Sequence, residues 1–316
     1  MGLFSSLFGK KESSVSEQEK QEKKNFDILK YDGIRARNMH QFAYAIKCLE
    51  QATAIKEDVE SMQYLAGCYI AMGKIEDAVK TYVRLSEIEP GDIKVLLALA
   101  NVYFMLEDYE HMHETCNKAI GLDDKNQVAY FLAAKAFKGL KNDLQAIVML
   151  SKAIGCDEKF IDAYLLRAEV LLNMRQANEA LNDVEFILKE ENDHEEALLL
   201  KGEAKAALGQ LDECFESLDR VIELNPFNRK ALLVKSNILI QQKKLDEALE
   251  VLDEGIELVA DCADFYKTRG LVKMLKGDKK GSVEDAKKAM EINPDDANQI
   301  SGNYNNAPKQ NHVGIY

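Results

Sequence analysis

Small and large apolar residues recur along the chain with a period of 34 residues. Rows of that length begin at Val59, Ile93, Gln127, Ile161, Glu195, Arg229 and Ala263, and a row one residue shorter begins at Phe26. The eighth position of the rows holds the small residues Gly33, Ala66, Ala100, Ala134, Ala168, Gly202, Ser236 and Gly270. The twentieth is also small in every row but one, in which Met112 stands; it holds Ala45, Ala78, Met112, Ala146, Ala180, Cys214, Ala248 and Ser282. Small positions flanked by apolar residues at helical spacing predict two amphipathic helices in each row, packed closely against each other.

Helix-stopping residues fall where such hairpins need them. Gly73, Gly209 and Gly277 occupy the fifteenth position of their rows, between the two predicted helices. Pro90 and Pro226 lie near the end of a row, and Pro294 occupies the same position. Glycine ends helices and proline does not continue them, so each row predicts one helical hairpin closed off from the next.

The row pattern resembles the tetratricopeptide repeat. The large, small, Tyr, Ala, aromatic and Pro positions of that family match the residues Met62, Ala66, Tyr69, Ala78, Tyr82 and Pro90. The resemblance implies an all-α fold, a right-handed superhelical α-solenoid of tandem helix-turn-helix repeats. Eight repeats are expected over residues 26–296, with the bounds 26–58, 59–92, 93–126, 127–160, 161–194, 195–228, 229–262 and 263–296. A repeat of this kind is an interaction scaffold used in unrelated processes, so it says more about fold than about function.

The two ends of the chain depart from the repeat. Residues 1–25 predict a short amphipathic segment, with Leu3, Phe4, Leu7 and Phe8 on one helical face, followed by a charged linker. Membrane contact, if there is any, is expected only through residues 1–9, since the sequence contains neither a secretory signal pattern nor a long apolar run. The asparagine-rich residues 297–316 lack helical periodicity and predict a disordered tail.

The net charge and the cysteines limit which partners and which cellular compartment are expected. The net charge of −13 repels phosphate backbones, and no stripe of basic and aromatic residues offsets it, so nucleic acid is not expected as a partner. The six cysteines have no paired spacing, which favours buried thiols in a reducing cytoplasm over disulfides or metal ligands.

Candidate catalytic chemistry is not found in the sequence. His111 and His113 are two residues apart on a predicted helix, so their side chains diverge and do not form a metal site. The segment "GDKKGS" at 277–282 lacks the preceding strand and the Gly-Lys-Ser/Thr ending of a phosphate-binding loop. We therefore expect a non-enzyme with no cofactor, no metal and no catalytic residues.

The resemblance implies that the binding surface is the groove lined by the first helix of each hairpin, at row positions 2, 5, 6, 9, 12 and 13. Candidate partner-binding residues at these positions are Leu97, Asn101, Phe131, Lys135, Asp162, Leu165, Leu166, Glu169, Glu196, Leu199, Leu200, Glu203, Lys230, Leu233 and Asn237. These residues predict a groove with an apolar floor. Its middle repeats carry acidic side chains, and the repeats on either side carry basic ones. A packing role against the next repeat stays open for the residues at position 6, such as Leu166 and Leu200.

Three classes of function are compatible with such a surface. The favoured one is a cytoplasmic adapter that binds a protein segment, amphipathic and basic, in the groove. The alternatives are a self-associating module, which would be a homo-oligomer, and the non-catalytic arm of an enzyme complex. A chaperone-type carboxylate clamp is disfavoured, because Asn101 matches one of its positions but Leu97 and Leu132 occupy a lysine and an asparagine position.

Overall fold

The computed structural model describes the backbone of residues 5–294 and the side chains of residues 17–294. Within those residues there are sixteen α-helices and no strand. The helices are α1 (Ser5–Asn38), α2 (Phe42–Ile55), α3 (Val59–Ala71), α4 (Ile75–Ile88), α5 (Ile93–Met105), α6 (Tyr109–Leu122), α7 (Gln127–Gly139), α8 (Asp143–Cys156), α9 (Ile161–Asn173), α10 (Ala177–Glu190), α11 (Glu195–Ala207), α12 (Leu211–Leu224), α13 (Arg229–Gln241), α14 (Leu245–Leu258), α15 (Ala263–Leu275) and α16 (Lys279–Ile292). The all-α class and the tandem helical hairpins predicted from the sequence are confirmed.

The hairpins fall into two compact units. The first unit comprises residues 1–160 and contains α1 to α8, and the second comprises residues 161–316 and contains α9 to α16. Within each unit, each helix contacts the next helix along the chain. First helices of neighbouring hairpins also meet, as α5 meets α7 in the first unit and α11 meets α13 in the second.

Helix bounds follow the 34-residue rows. From α3 onward, every first helix has 13 residues and begins at the first residue of its row, and every second helix has 14. Many helices begin at a side chain that accepts a hydrogen bond from a first-turn amide, for example Asp58 from Ser61 and Asn228 from Ala231. Capping thus fixes where these helices start.

The first helix is longer than expected. The sequence predicts a charged linker before residue 26, but α1 extends without a break from Ser5 to Asn38. Residues 17–24 are all Glu, Gln or Lys, which are strong helix formers, and they are exposed, so this stretch forms a helix without burying a side chain. The predicted apolar face of residues 3–8 and the tail at 297–316 lie outside the residues whose side chains the structure describes.

The small residues let the two helices of a hairpin approach closely. All sixteen residues at row positions 8 and 20 are buried. A Cβ added to Gly202 in α11 would come within 3.0 Å of the Leu218 side chain in α12. A larger residue would therefore push the hairpin apart, which explains the recurrence in the sequence.

The turn inside each hairpin has the same backbone form in all eight cases. Its central residue has a positive φ, and only three of these residues are glycines; the full set is His40, Gly73, Glu107, Lys141, Arg175, Gly209, Lys243 and Gly277. The next amide donates to a carbonyl five residues earlier, as Lys74 does to Tyr69 and Gln176 to Leu171. This is the Schellman ending of an α-helix, which favours glycine at the left-handed residue.

We expect Arg175→Gly to stabilise the protein. Arg175 is exposed with a φ of 62°, and relieving the left-handed strain should raise the free energy of unfolding by about 1 kcal/mol. Urea unfolding followed by circular dichroism measures the change. Arg175→Ala is the matched control, because it removes the side chain but keeps the Cβ. If both variants gained the same stability, the backbone explanation would be wrong.

Cysteine burial agrees with a packing role. Five of the six cysteines are buried, and Cys156 is half-buried. Burial raises the pKa of the Cys116 thiol to about 12, and burial together with the charge of Asp219 raises that of Cys214 to about 11. These two thiols are therefore protonated and unreactive near neutral pH.

Among the helices described, none combines the length and the apolar character needed to span a bilayer.

Candidate functional site

Two neighbouring cavities open along the first helices of the second unit. One, of 580 Å³, is lined by Glu169, His194, Glu195, Glu196, Leu199, Leu200, Asn228 and Lys230. The other, of 450 Å³, is lined by Glu169, Leu172, Asn173, Glu203, Ala206, Lys230, Val234, Asn237, Ile238 and Gln241. Because Glu169 and Lys230 belong to both linings, we treat the two cavities as one site and call it the acidic cleft.

The repeat geometry explains why these side chains meet. Glu169 in α9, Glu203 in α11 and Asn237 in α13 occupy the same position of three successive rows. Residues at equivalent positions of packed helices project on the same side, and α11 contacts both α9 and α13. A row of polar side chains therefore crosses the three helices above apolar residues such as Leu172 and Ile238.

The cleft carries more negative than positive charge. Four glutamates line it against one lysine. Lys230 donates to Glu203 across neighbouring hairpins, with Nζ 2.9 Å from Oε1. The Lys230 side chain is 57% exposed, so this pair adds little stability and can open to a competing charge.

One of the four glutamates has a structural task. Asn225 and Asn228 follow α12, and the side-chain amides of both donate to Glu195 Oε1, at 2.8 Å and 2.6 Å respectively. Asn228 also caps α13 by accepting from the amide of Ala231. Glu195 thus ties the start of α11 to the start of α13.

Seven of the predicted groove residues meet in the acidic cleft: Glu169, Glu196, Leu199, Leu200, Glu203, Lys230 and Asn237. Four others of the second unit do not line its cavities: Asp162 is exposed, Leu165 is buried, and Leu166 and Leu233 are half-buried.

Two leucines of the predicted apolar floor, Leu165 and Leu199, are less exposed than expected, and Leu200 has the packing role left open for position 6. Leu165, Leu199 and Leu200 have exposed fractions of only 7%, 6% and 3%. Leu199 belongs to a core cluster with Leu218 of α12 and Ile238 of α13. Leu199 and Leu200 thus expose only a small part of their surface to the cavity, and their main role is packing.

The other four predicted residues lie in the first unit. Leu97 is half-buried in α5, and Asn101 is exposed but turns its amide back to the Leu97 carbonyl at 2.9 Å. Phe131 and Lys135 are half-buried in α7. Lys135 places its ammonium over the Phe104 ring, 3.9 Å from the centroid.

Several cleft residues escaped the sequence-based list. Leu172, Asn173, Ala206, Val234 and Gln241 fall in row positions 6, 12 and 13, so the rule that selects lining positions already pointed to them. His194 and Asn228 are the N-caps of α11 and α13. The sequence can predict that such residues cap a helix, but it does not predict that they border a cavity.

The chemistry offered by the cleft is recognition by charge and hydrogen bonding. Carboxylates accept hydrogen bonds from cations, and the amides of Asn173, Asn237 and Gln241 can both donate to and accept from a peptide backbone. Among the side chains of residues 17–294, no group of three or more His, Cys, Asp or Glu residues is placed to hold a metal ion.

Family models described as tetratricopeptide repeat match four stretches of the chain. They cover residues 37–102, 93–126, 195–228 and 216–263. Together these ranges include hairpins of both units, and they agree with the resemblance seen in the row pattern.

Solved structures show a similar fold. A tetratricopeptide repeat protein from Parabacteroides merdae is 16% identical, over 78% of this chain and 99% of its own, with a TM-score of 0.66. PilW, described as a type IV pilus biogenesis factor, is 17% identical over 67% of this chain and 98% of its own, with a TM-score of 0.60. PilF of Pseudomonas aeruginosa is 14% identical over 69% and 99%, with a TM-score of 0.53. At such identities the likeness concerns the fold alone.

Proposed function

The chain belongs to the tetratricopeptide repeat family, and from this premise we propose that it is a non-enzymatic protein-binding scaffold whose acidic cleft holds a basic, amphipathic segment of a partner protein. The observation that carries the proposal is the placement of Glu169 and Glu203 above the apolar wall of one cleft.

Charge and apolar surface play different parts in such binding. Carboxylates at the rim attract a basic segment and orient it, while apolar side chains that become buried supply most of the affinity. Ala206 and Val234, which are half-buried in the cleft wall, offer a place for an apolar side chain of the partner. An acidic segment is disfavoured in this cleft, because its carboxylates would be repelled by the glutamates.

The Lys230–Glu203 pair supports ligand exchange within the cleft. A lysine or arginine of the partner can take the place of Lys230 on Glu203 without leaving a buried charge unpaired, because the Lys230 side chain is exposed.

The test uses two dye-labelled amphipathic peptides of equal length, one built of Lys and Leu and one of Glu and Leu. Fluorescence anisotropy should show that the Lys/Leu peptide binds the full chain. Glu169→Gln with Glu203→Gln should weaken that binding about tenfold and flatten its dependence on salt, because the attracting charges are gone.

The matched control is Glu185→Gln with Glu216→Gln. Both residues are exposed on the second helices α10 and α12, so the change in net charge is the same but lies outside the cleft. Equal binding of the Lys/Leu peptide by the cleft variant and the wild type would refute the proposal. So would an equal loss in the control variant.

A second candidate function is self-association. It is favoured by an exposed apolar patch on α15, where Leu271 and Leu275 are 41% and 52% exposed and Met274 lies between them. Light scattering over a range of protein concentrations distinguishes it, since only self-association makes the apparent mass rise with concentration.

A further inference from the structure

The first helices of the first unit present a surface opposite in charge to the acidic cleft. The lining positions of α5 and α7 hold three lysines and no acidic residue, whereas those of α9 and α11 hold four acidic residues and no lysine. We call the surface formed by Lys94, Phe104, Met105, Phe131, Lys135 and Lys138 the basic face. In a chain of net charge −13, a basic face within one unit is a local departure from the overall charge.

Lys135 is the centre of the basic face. Its ammonium lies 3.9 Å from the centroid of the Phe104 ring and 6.0 Å from that of Phe131. The side chain is half-buried and makes no ion pair with any residue that the structure describes. Burial, together with the nearby charge of Lys138, lowers the pKa of Lys135. A cation that has lost part of its hydration and has no anionic partner is prepared to accept a carboxylate.

Apolar side chains occupy other lining positions of α5 and α7. Met105, at the end of α5, is 53% exposed, and Leu97 and Phe131 are half-buried on the same side. Phe131 is held in place edge to face by Phe160, with ring centroids 5.2 Å apart. The basic face therefore joins fixed aromatic rings and an adaptable methionine to a cation, a combination suited to an apolar side chain flanked by an acid.

We propose that the basic face of the first unit binds an acidic, amphipathic segment of a partner protein, with a partner carboxylate on the Lys135 ammonium and an apolar side chain against Met105. The scaffold then offers two docking surfaces of opposite charge preference, one in each unit. A nucleic acid is not the favoured ligand, because it carries a charge on every nucleotide and a chain this acidic repels it.

The test uses the Glu/Leu peptide described above. Wild-type protein should bind it, and Lys135→Met, which keeps the length and apolar character of the side chain, should weaken the binding about tenfold. Lys135→Arg should keep it. Lys118→Met is the matched control, because Lys118 is an exposed lysine on the second helix α6 of the same unit. That variant should bind as the wild type does.

Two further variants separate this proposal from others. Lys94→Met changes an exposed side chain, so it should fold normally, and it should weaken binding of the Glu/Leu peptide even if Lys135→Met fails to fold. The acidic-cleft variant, Glu169→Gln with Glu203→Gln, should bind the Glu/Leu peptide normally. If the acidic cleft does not bind the Lys/Leu peptide, the proposal for the basic face is unaffected. If the basic face does not bind the Glu/Leu peptide, the proposal for the acidic cleft is likewise unaffected.

Three results would overturn the inference. The first is binding of the Glu/Leu peptide unchanged by both Lys135→Met and Lys94→Met in folded protein. The second is an equal loss in Lys118→Met, which would indicate a general charge effect. The third is displacement of the peptide by an oligouridylate that binds the wild type but not Lys135→Met, which would make the basic face a nucleic-acid site.

Discussion

Leu199→Ala is expected to lower the free energy of unfolding by about 2–5 kcal/mol. The side chain is 6% exposed and packs in one cluster with Leu218 and Ile238, so truncation leaves a cavity between two hairpins. The row pattern alone predicts the opposite, a groove residue that can be truncated at little cost. Urea unfolding followed by circular dichroism decides between the two.

Glu196→Gln is the control for this variant, since Glu196 is exposed three residues earlier in the same helix. Its free energy of unfolding should equal that of the wild type. A Leu199→Ala protein as stable as the wild type would show that the leucine is not a core residue. If stability does fall, loss of partner binding in that variant is no evidence about the cleft, and the charge variants are the ones to interpret.

The sequence predicts the hairpins well because each row position meets the same packing demand. Only a small residue fits where Gly202 faces Leu218, so the residue type itself reports a contact. Some helix starts can also be read from the sequence, since an Asp or Asn side chain caps helices such as α3 and α13. Repetition over eight rows then turns weak local signals into a firm prediction of the fold.

Two features of the backbone were not predictable in this way. Five of the eight turns place a residue other than glycine at positive φ, because the Schellman hydrogen bonds and the packed helices impose the conformation. The early part of α1 was interpreted as a linker, because charged residues without apolar periodicity indicate solvent exposure but do not exclude a helix.

The side of a helix that a residue faces was predictable, but its exposure was not. Glu169, Glu203 and Asn237 share one row position, and they line one cavity. Exposure depends on how far the neighbouring hairpin reaches over that side. Leu200, which is 3% exposed, and Leu166, which is half-buried one hairpin earlier, share a row position but differ in exposure.

The last hairpin depends on a buried ion pair whose loss should be costly. In α15 and α16, Arg269 donates to both oxygens of Asp285, at 2.9 and 2.6 Å, and Lys273 lies 2.8 Å from Oδ2. Arg269 also donates to Asp253 of the preceding hairpin at 2.6 Å. The same row positions form the bidentate pair of Arg167 and Asp183 in the first hairpin of the second unit.

Asp285→Asn is expected to lower the free energy of unfolding at pH 7 by about 3–5 kcal/mol, because it removes the buried carboxylate that the two cations share. Calorimetry or urea unfolding measures the loss. Asp253→Asn, at a carboxylate that is 55% exposed, is the control and should cost much less.

The same pair predicts the direction of a pH effect. Burial alone would raise the pKa of Asp285, but the hydrogen bonds from Arg269 and Lys273 outweigh it and hold the pKa below the ordinary value of 3.8. A carboxyl group whose pKa is lowered by folding stabilises the protein fully above its unfolded pKa, and this contribution is lost as the pH falls through the folded value. The difference in stability between wild type and Asp285→Asn should therefore be constant from pH 7 down to about pH 5 and shrink below about pH 4. Other carboxylates titrate in both proteins and cancel in the difference. A difference that stayed constant to pH 2, or grew on acidification, would show that Asp285 is not held as a carboxylate by these cations.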